Sequence, residues 1–328
     1  MRALTFSAVS AILLVAGLAG RARAQTADPN SIVSLDLEND APAGTDRYYT
    51  SGEALNYISP TTTVPDWLAR AGHVLWGDGT QRYSIGLDQS LFTPLYTQVN
   101  PPVPGDRPYA AELTGNFGLI QETQNYRSTI EFDIGMIGPA ALGEEVQNGF
   151  HHLIGDTPNK GWGYQIHNEP LFEIISDRTY RVPTGHIGMF ETDFLPDLTV
   201  GLGNERIYAL TGGQFRIGQG LNTDFGAPRM RPGLTGSYAY TPTQPFVWYA
   251  FAGFDGQAVL HDITLNGNSF ENSASVGLTP FVGEFQAGLA LIYRGVKVSY
   301  TEVFQTKEFN EQAPGLFQYG VFTLSTRF

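Results

Sequence analysis

Residues 129–136, Thr-Ile-Glu-Phe-Asp-Ile-Gly-Met, alternate polar or small side chains with large apolar ones. Side chains on a β-strand point alternately to its two faces, so this period of two predicts a strand with one apolar face. The same alternation occurs in residues 83–88, where Tyr, Ile and Leu alternate with Ser, Gly and Asp, and again in residues 285–293. The pattern therefore indicates a chain that is mainly β-structure.

About twelve segments of this kind, many of them bounded by Gly, Pro or Asn, continue to the last residue. They lie near residues 31–38, 49–59, 81–91, 109–121, 125–137, 166–182, 184–203, 206–218, 246–262, 280–293, 294–305 and 317–328. Segments of about ten residues with one apolar face are typical of a transmembrane β-barrel. A soluble β-sandwich shows the same alternation and is the alternative at this point.

The two ends of the chain favour the barrel. Residues 1–24 have Arg2 before an apolar run at 11–19 and an Ala-Arg-Ala site at 22–24, which predicts a cleaved secretory signal peptide. That run is short for a membrane anchor. The last segment, 317–328, ends in the aromatic Phe328, and a last strand that closes the sheet removes its open edge.

We therefore predict an all-β fold, a transmembrane antiparallel β-barrel of about twelve strands with a short helix in an outer loop. A single barrel domain is expected over residues 25–328, in the bacterial outer membrane after export. The net charge of −13 argues against a nucleic-acid partner, which would require a basic surface. Because the chain contains no Cys, disulfides, thiolate metal ligands and thiol nucleophiles are excluded.

The connections between the predicted strands are of unequal length. Longer ones at 39–48, 92–108, 138–165, 263–279 and 306–316 are expected to be outer loops, and the links at 121–125 and 294–295 to be short turns. Residues 60–80 and 219–245 lie on the short-turn side and yet are long. A plug or a surface flap is the only explanation that the sequence offers for them.

Polar residues are concentrated in the loops after the first, third and fifth strands, within residues 38–52, 105–109 and 137–155. In an up-and-down barrel these three loops lie at the same rim, so we expect their polar side chains to converge. The last of them contains the one helical pattern that we find after the signal peptide, with an apolar stripe and a polar row beside it. The stripe consists of Val146, Phe150, Leu153 and Ile154, and the polar row of Gln147 and His151.

His151 is the candidate general base of this region, because an imidazole titrates near neutral pH. The alternative is a solvated helix histidine, and His152, about 100° further around the helix, is the expected bystander. Asp40 with Asn39 could bind a hard cation such as calcium through oxygen atoms, or could form an ordinary turn at the end of a strand. The chain contains no G-x-S-x-G, H-E-x-x-H, P-loop or G-x-G-x-x-G motif.

From about residue 31 to its end, the sequence resembles the LpxR-type lipid A 3′-O-deacylases, a family of outer-membrane barrel enzymes. The matching segments are Glu38-Asn39-Asp40, Thr45-Asp46-Arg47, Tyr49-Thr50-Ser51-Gly52, Gly105-Asp106-Arg107, Ile137-Gly138-Pro139, Gly143-Glu144-Glu145-Val146-Gln147-Asn148, His151, Gly161-Trp162, Phe251-Ala252-Gly253 and the last strand. Each segment alone is a weak signal, but their order and spacing together are specific.

The resemblance implies a twelve-stranded barrel with a calcium-dependent active site at its outer rim, where the ester of the 3′-linked acyloxyacyl chain of lipid A is hydrolysed. It implies that His151 is the general base that deprotonates water, that Asn39 polarises the scissile carbonyl, and that Asp40 binds calcium. Thr50 and Gln147 would be supporting polar residues. The implied partners are lipid A, as part of lipopolysaccharide, and the outer membrane itself.

Two positions depart from the family pattern. Where the family has a Glu near the metal, this chain has Gly155-Asp156-Thr157, which makes Asp156 the expected second metal ligand. Where the family has a basic pair in the second outer loop, this chain has Thr97-Gln98-Val99. Arg107 is then the nearest cation and the expected substrate-binding residue. A non-catalytic barrel, porin-like or structural, and a barrel esterase that acts on another lipid are the alternative functions.

Overall fold

The computed structural model of the chain describes residues 27–230 and 236–328. The predicted signal peptide, residues 1–24, lies outside them. The described residues form thirteen strands: β1 (Ile32–Asn39), β2 (Tyr48–Ile58), β3 (Thr80–Thr93), β4 (Ala110–Glu122), β5 (Tyr126–Ile137), β6 (Glu169–Tyr180), β7 (Val182–Ile187), β8 (Phe190–Gly203), β9 (Arg206–Gln219), β10 (Phe246–Asp262), β11 (Phe281–Tyr293), β12 (Val296–Gln305) and β13 (Phe317–Arg327). Three α-helices accompany them: α1 (Asp66–Trp76), α2 (Gly143–Ile154) and α3 (Ile263–Asn266).

Twelve of the strands close into an antiparallel barrel. β1 pairs with β13, β6 pairs with β8, and the other strands of the barrel pair with their neighbours in sequence. The barrel prediction is therefore confirmed. The predicted strand 184–203 is two strands, however, because the chain turns at Gly188 with a φ of +62°, a left-handed conformation that suits glycine. The extra strand, β7, pairs with β8 and is exposed along its whole length.

The orientation of the side chains excludes a soluble sandwich. In β1 the polar residues Ser34, Asp36 and Glu38 point into the barrel and are almost fully buried. Leu35 and Leu37, between them, point outward and are 42% and 45% exposed. A sandwich would bury the apolar row, whereas a barrel in lipid exposes it to hydrocarbon and keeps polar groups in its lumen. The apolar outer surface thus identifies a transmembrane barrel.

Both ends of the described chain lie at one rim of the barrel, where the backbones of Ser31 and Phe328 hydrogen-bond to each other. We call this the terminal rim, and the opposite one the loop rim. The loops predicted as outer ones all lie at the loop rim, and the predicted tight turn at Arg294-Gly295 lies at the terminal rim. The strand assignment therefore brings the three polar loops to one rim, as predicted.

The first long connection on the terminal rim, residues 59–79, contains helix α1. The expectation of a single helical pattern was therefore wrong. Leu68 and Trp76 of α1 pack with Leu119 of β4, whose neighbour on the same face, Phe117, is exposed at the outer wall. The helix consequently lies on the lipid-facing side of the barrel. None of the helices in the described residues has the length and hydrophobicity needed to cross a bilayer.

The second long connection enters the lumen, as a plug does. At its start, Asp224 is fully buried and accepts hydrogen bonds from Arg216 Nη1 at 2.7 Å, Lys297 Nζ at 2.7 Å and Tyr249 Oη at 2.9 Å. Further along, Arg229 forms an ion pair of 2.8 Å with Glu284. Of the two explanations for residues 219–245, these contacts between the connection and the inner wall favour the plug.

We expect Asp224→Ala to destabilise the barrel strongly. Lys297 would lose its only ion-pair partner among the described residues, and Arg216 one of two. A buried charge without its partner typically costs about 3–5 kcal/mol. Urea unfolding of the barrel in detergent micelles measures the free energy of unfolding. Asp78→Ala, at an exposed position on the same rim, is the control, and equal stability of the two variants would contradict this assignment.

Candidate active site at the loop rim

Helix α2, in the loop between β5 and β6, carries two of the predicted site residues. Its first residue, Gly143, lies so close to the wall that a Cβ atom there would come within 2.4 Å of Ala111. Gln147 and His151 face the protein and are buried. The apolar stripe predicted for this helix is present but faces outward, and Leu153 within it is 80% exposed. The helix therefore places buried polar groups next to an exposed apolar surface.

The ring of His151 is oriented by the loop that follows α2. Its Nδ1 lies 2.9 Å from the carbonyl oxygen of Thr157. A carbonyl oxygen only accepts, so this contact places the proton on Nδ1 and leaves Nε2 with a free lone pair. Nε2 lies 4.0 Å from Oδ2 of Asp46. His151 thus has the tautomer that a general base requires, whereas His152 is exposed, as expected.

Asp46 lies in the loop between β1 and β2, and its hydrogen bonds connect this loop to the loop between β5 and β6. Its Oδ1 accepts hydrogen bonds from Thr50 Oγ1 at 2.6 Å and from Gln147 Nε2 at 3.0 Å. Its Oδ2 accepts one from Asn159 Nδ2 at 3.0 Å. Asp46 therefore fixes the position of Thr50 and Gln147 and adds a negative charge beside His151.

Asp40 lies at the end of β1 and is 1% exposed. Its Oδ2 accepts from Thr45 Oγ1 at 2.6 Å and from the backbone N–H of Arg47 at 2.8 Å. Its Oδ1 has only a contact of 3.4 Å with Thr50 Oγ1, and that hydroxyl lies closer to Asp46. Burial raises the pKa of the Asp40 carboxyl to about 7, because desolvation penalises its charged form, and these hydrogen bonds offset this only in part.

These features of Asp40 suit a cation. Among the described residues no basic side chain forms an ion pair with it, and a buried carboxylate without a cation is unfavourable. The side-chain atoms near this position that could coordinate a metal are oxygen atoms of Asp40, Asp46 and Thr50, and calcium prefers oxygen ligands. Within residues 27–230 and 236–328, however, no three acidic or imidazole side chains form a compact metal site. A calcium ion here would need backbone or water oxygens as well.

Asn39 adjoins this cluster. Its Nδ2 donates to the carbonyl oxygen of Thr50 at 2.8 Å, and its Oδ1 accepts from the N–H of Ala41 at 2.7 Å. The amide plane is thereby fixed, and one N–H of the amide group remains for another acceptor. The structure thus brings together Asn39, Asp40 and Thr50 from the first loop with Gln147 and His151 from the third.

Two predicted residues are not brought into this cluster. Asp156 is exposed, and its Oδ1 accepts from the backbone N–H of Thr157 at 2.7 Å. Arg107 is buried, donates to Glu308 at 2.6 Å and to Thr264 at 2.8 Å, and stacks over Phe92. These contacts link three loops of the rim, so the guanidinium is already engaged within the protein. Metal binding by Asp156 and substrate binding by Arg107 stay predictions.

Sequence reasoning did not select Asp46, Asn159 or Trp162 as site residues. Trp162 Nε1 donates to Gln147 Oε1 at 2.9 Å, which fixes the orientation of that amide. Asp46 and Trp162 lie within segments that carry the family resemblance. That resemblance was the one signal that could have identified them, because their contacts link distant parts of the chain.

Known proteins resemble this chain to different degrees. A sequence model of the family described as "Outer membrane protein LpxR" matches residues 8–328. The solved structure of LpxR from Salmonella typhimurium is similar, with 23% identity, a TM-score of 0.74, and coverage of 90% of this chain and 99% of that chain. The β-domain of the Bordetella autotransporter BrkA matches at 9% identity and a TM-score of 0.45, with coverage of 92% of this chain and 100% of that one.

No curated protein sequence matches the chain. The likeness to the Salmonella structure supports the barrel fold, and the family match extends over nearly the whole sequence. The chain therefore belongs to the LpxR family of outer membrane proteins.

Proposed function

We propose that this barrel is an esterase of the outer membrane that hydrolyses the 3′-linked acyloxyacyl ester of lipid A in a calcium-dependent reaction. The observation that carries the proposal is the arrangement of His151. Its Nδ1 is held by the Thr157 carbonyl, its Nε2 is free, and a carboxylate lies 4.0 Å beyond. Such an imidazole can accept a proton from water.

In the proposed reaction, water loses a proton to Nε2 of His151 as its oxygen bonds to the ester carbonyl carbon. When the tetrahedral intermediate collapses, the ester C–O bond breaks and the imidazolium returns the proton to the leaving alkoxide, so that the fatty acid and a free hydroxyl group are released. Asp46 stabilises the imidazolium that forms, since opposite charges at this distance attract. The free N–H of the Asn39 amide polarises the carbonyl oxygen, and Thr50 and Gln147 keep Asp46 in place. A calcium ion held by Asp40 would supply positive charge for the developing oxyanion.

The choice of a lipid as substrate is supported by the position of the site. Helix α2 exposes Phe150, Leu153 and Ile154 at the loop rim, next to the buried His151. With the loop rim outward, an acyl chain could lie along this apolar surface while its ester reaches the imidazole. Lipid A is proposed because the chain belongs to the LpxR family and resembles its 3′-O-deacylases in the segments that form the site.

Expression in a heterologous outer membrane, followed by mass spectrometry of lipid A, tests the proposal. We expect a loss of mass that corresponds to the acyloxyacyl group, with no such loss in the presence of a chelator or in a His151→Ala strain. Unchanged lipid A from a folded, surface-exposed barrel would contradict the choice of substrate. Release of fatty acids from other lipids would then indicate an esterase with a different substrate.

We expect Asp46→Asn to lower the rate of hydrolysis by about 10- to 100-fold, the usual effect of losing a partner that orients a site. The amide would remove the negative charge beside His151 and one hydrogen-bond acceptor for Thr50 and Gln147. Initial rates with purified lipid A in micelles measure the effect. Asp66→Asn, at the opposite rim, is the control, and an equal rate in both variants would contradict the role of Asp46.

A further inference from the structure

A second group of acidic side chains lies inside the barrel and shares no residue with the candidate active site. The group surrounds a cavity of about 70 Å³ between β3–β6 and the ends of β9 and β10. Besides Asp262, six carboxylates line it: Asp88, Glu112, Glu131, Asp133, Glu173 and Glu205. We call this group the lumen carboxylates.

Acidic side chains predominate among the described residues that line the cavity. Of the described residues that line it, Arg206 is the one that carries a positive charge. Arg206 already forms an ion pair of 3.3 Å with Asp262 and donates to Gln257 at 3.2 Å. Among the described residues that line the cavity, acidic side chains therefore outnumber basic ones, in a place where low solvent access strengthens repulsion.

Two of the lumen carboxylates lie opposite each other, and each has a buried oxygen atom without a hydrogen-bond partner among the described residues. Asp133 of β5 and Glu173 of β6 are direct cross-strand neighbours that point into the cavity. Asp133 is 8% exposed and Glu173 1% exposed. Oδ1 of Asp133 and Oε1 of Glu173 are buried and have no hydrogen-bond partner among the described residues. Like charges directly opposite each other destabilise a sheet, and a cation between the two carboxylates would relieve this repulsion.

We propose that the lumen carboxylates bind a hydrated divalent cation, calcium or magnesium, between Asp133 and Glu173. The cavity has room for more than one water molecule. Within the described parts of the chain, no three acidic or imidazole groups stand close enough to enclose a bare ion. The ion therefore keeps part of its water shell, as magnesium in particular does in proteins. It holds together β5 and β6, the two strands whose loop carries α2.

The first test uses the mature barrel with Asp40→Asn, which removes the proposed ligand at the loop rim. The protein is folded in detergent micelles, freed of metal with a chelator, and dialysed against Mg²⁺ or Ca²⁺. We expect about one bound ion per chain by elemental analysis and a rise in Tm of about 5 °C. If this chain binds no ion and its Tm does not change, protons neutralise the carboxylates and the proposal is wrong.

The second test locates the ion. Asp133→Asn with Glu173→Gln in the same background should abolish binding and make the Tm independent of the ion. Glu271→Gln with Glu311→Gln removes the same charge from exposed loops and should leave binding unchanged. Binding that persists in the lumen variant would place the ion elsewhere and overturn the proposal.

A third readout decides the question should the double variant fail to fold. The ring of Tyr208 lies beside Oε1 of Glu173, since both would contact the same Cβ atom at Gly201. Terbium bound at the lumen carboxylates of the Asp40→Asn chain should therefore emit when tyrosine is excited. We expect Tyr208→Phe to weaken this emission several-fold, and unchanged emission would contradict the site.

Discussion

Replacement of His151 with Ala is expected to reduce ester hydrolysis by about a thousandfold, within the range that a general base contributes. The structure gives the reason in two contacts. The Thr157 carbonyl at 2.9 Å holds the proton on Nδ1, and the other nitrogen faces Asp46 at 4.0 Å. No other imidazole in the described residues has this arrangement, so the variant has no substitute for the lost base. Time courses with purified lipid A in micelles measure the rates.

His152→Ala is the matched control, because it removes an imidazole from the adjacent, exposed position of the same helix. We expect it to keep close to full activity. Both variants should show the same heat-dependent shift in gel mobility that a folded barrel gives. A His151→Ala barrel that folds and remains as active as His152→Ala would exclude His151 as the base, and with it the proposed mechanism.

The barrel could be predicted from the sequence because its signal is local. In each strand the alternation of side chains reports directly on which face meets lipid, as Leu35 and Leu37 show against Asp36. The division between β7 and β8 could not be predicted in this way. One glycine with a positive φ, Gly188, makes that turn, and the pattern on either side of it is equally extended.

The course of the plug could not be predicted from the periodicity of the sequence. Its direction into the lumen depends on contacts such as Asp224 with Lys297, which are 73 residues apart. The local sequence around Asp224 does not predict that its partner is a buried residue of β12. Helix α1 could not be predicted for a related reason, since Leu68 and Trp76 are buried where they pack with Leu119 on the outer wall.

Some residues of the candidate site could likewise be predicted from local sequence, whereas others are defined by long-range contacts. Gln147 and His151 could be paired from the sequence because residues four apart share one face of a helix. Asn39 and Asp40 were recognisable as polar residues at the end of a strand. Asp46 was not selected, although it organises the site, because its partners Gln147 and Asn159 lie 101 and 113 residues away. The sequence thus identifies some of the site residues, and the structure shows the long-range contacts that link them to the others.

Replacement of Asp40 with Asn, or removal of divalent ions, is expected to reduce hydrolysis by about 10²- to 10³-fold, the usual cost of losing a group that stabilises an oxyanion. Asp40 is buried, no basic side chain of the described residues forms an ion pair with it, and its Oδ1 has only a contact of 3.4 Å with Thr50 Oγ1. An Asn at this position keeps the shape and the acceptor for Thr45 but loses the charge that would hold calcium. Rates measured against calcium concentration distinguish weaker metal binding from a slower reaction.

Asp156→Asn is the informative comparison for this second prediction. The family resemblance makes Asp156 a metal ligand, whereas its side chain is exposed and bonded to the Thr157 amide. A loss of calcium affinity in Asp40→Asn alone would confine the metal to the loop between β1 and β2. A loss in both would mean that the loop after α2 closes over the ion and brings Asp156 to it. Full activity of Asp40→Asn in the presence of a chelator would show that the oxyanion is stabilised without a metal, by Asn39 and its neighbours.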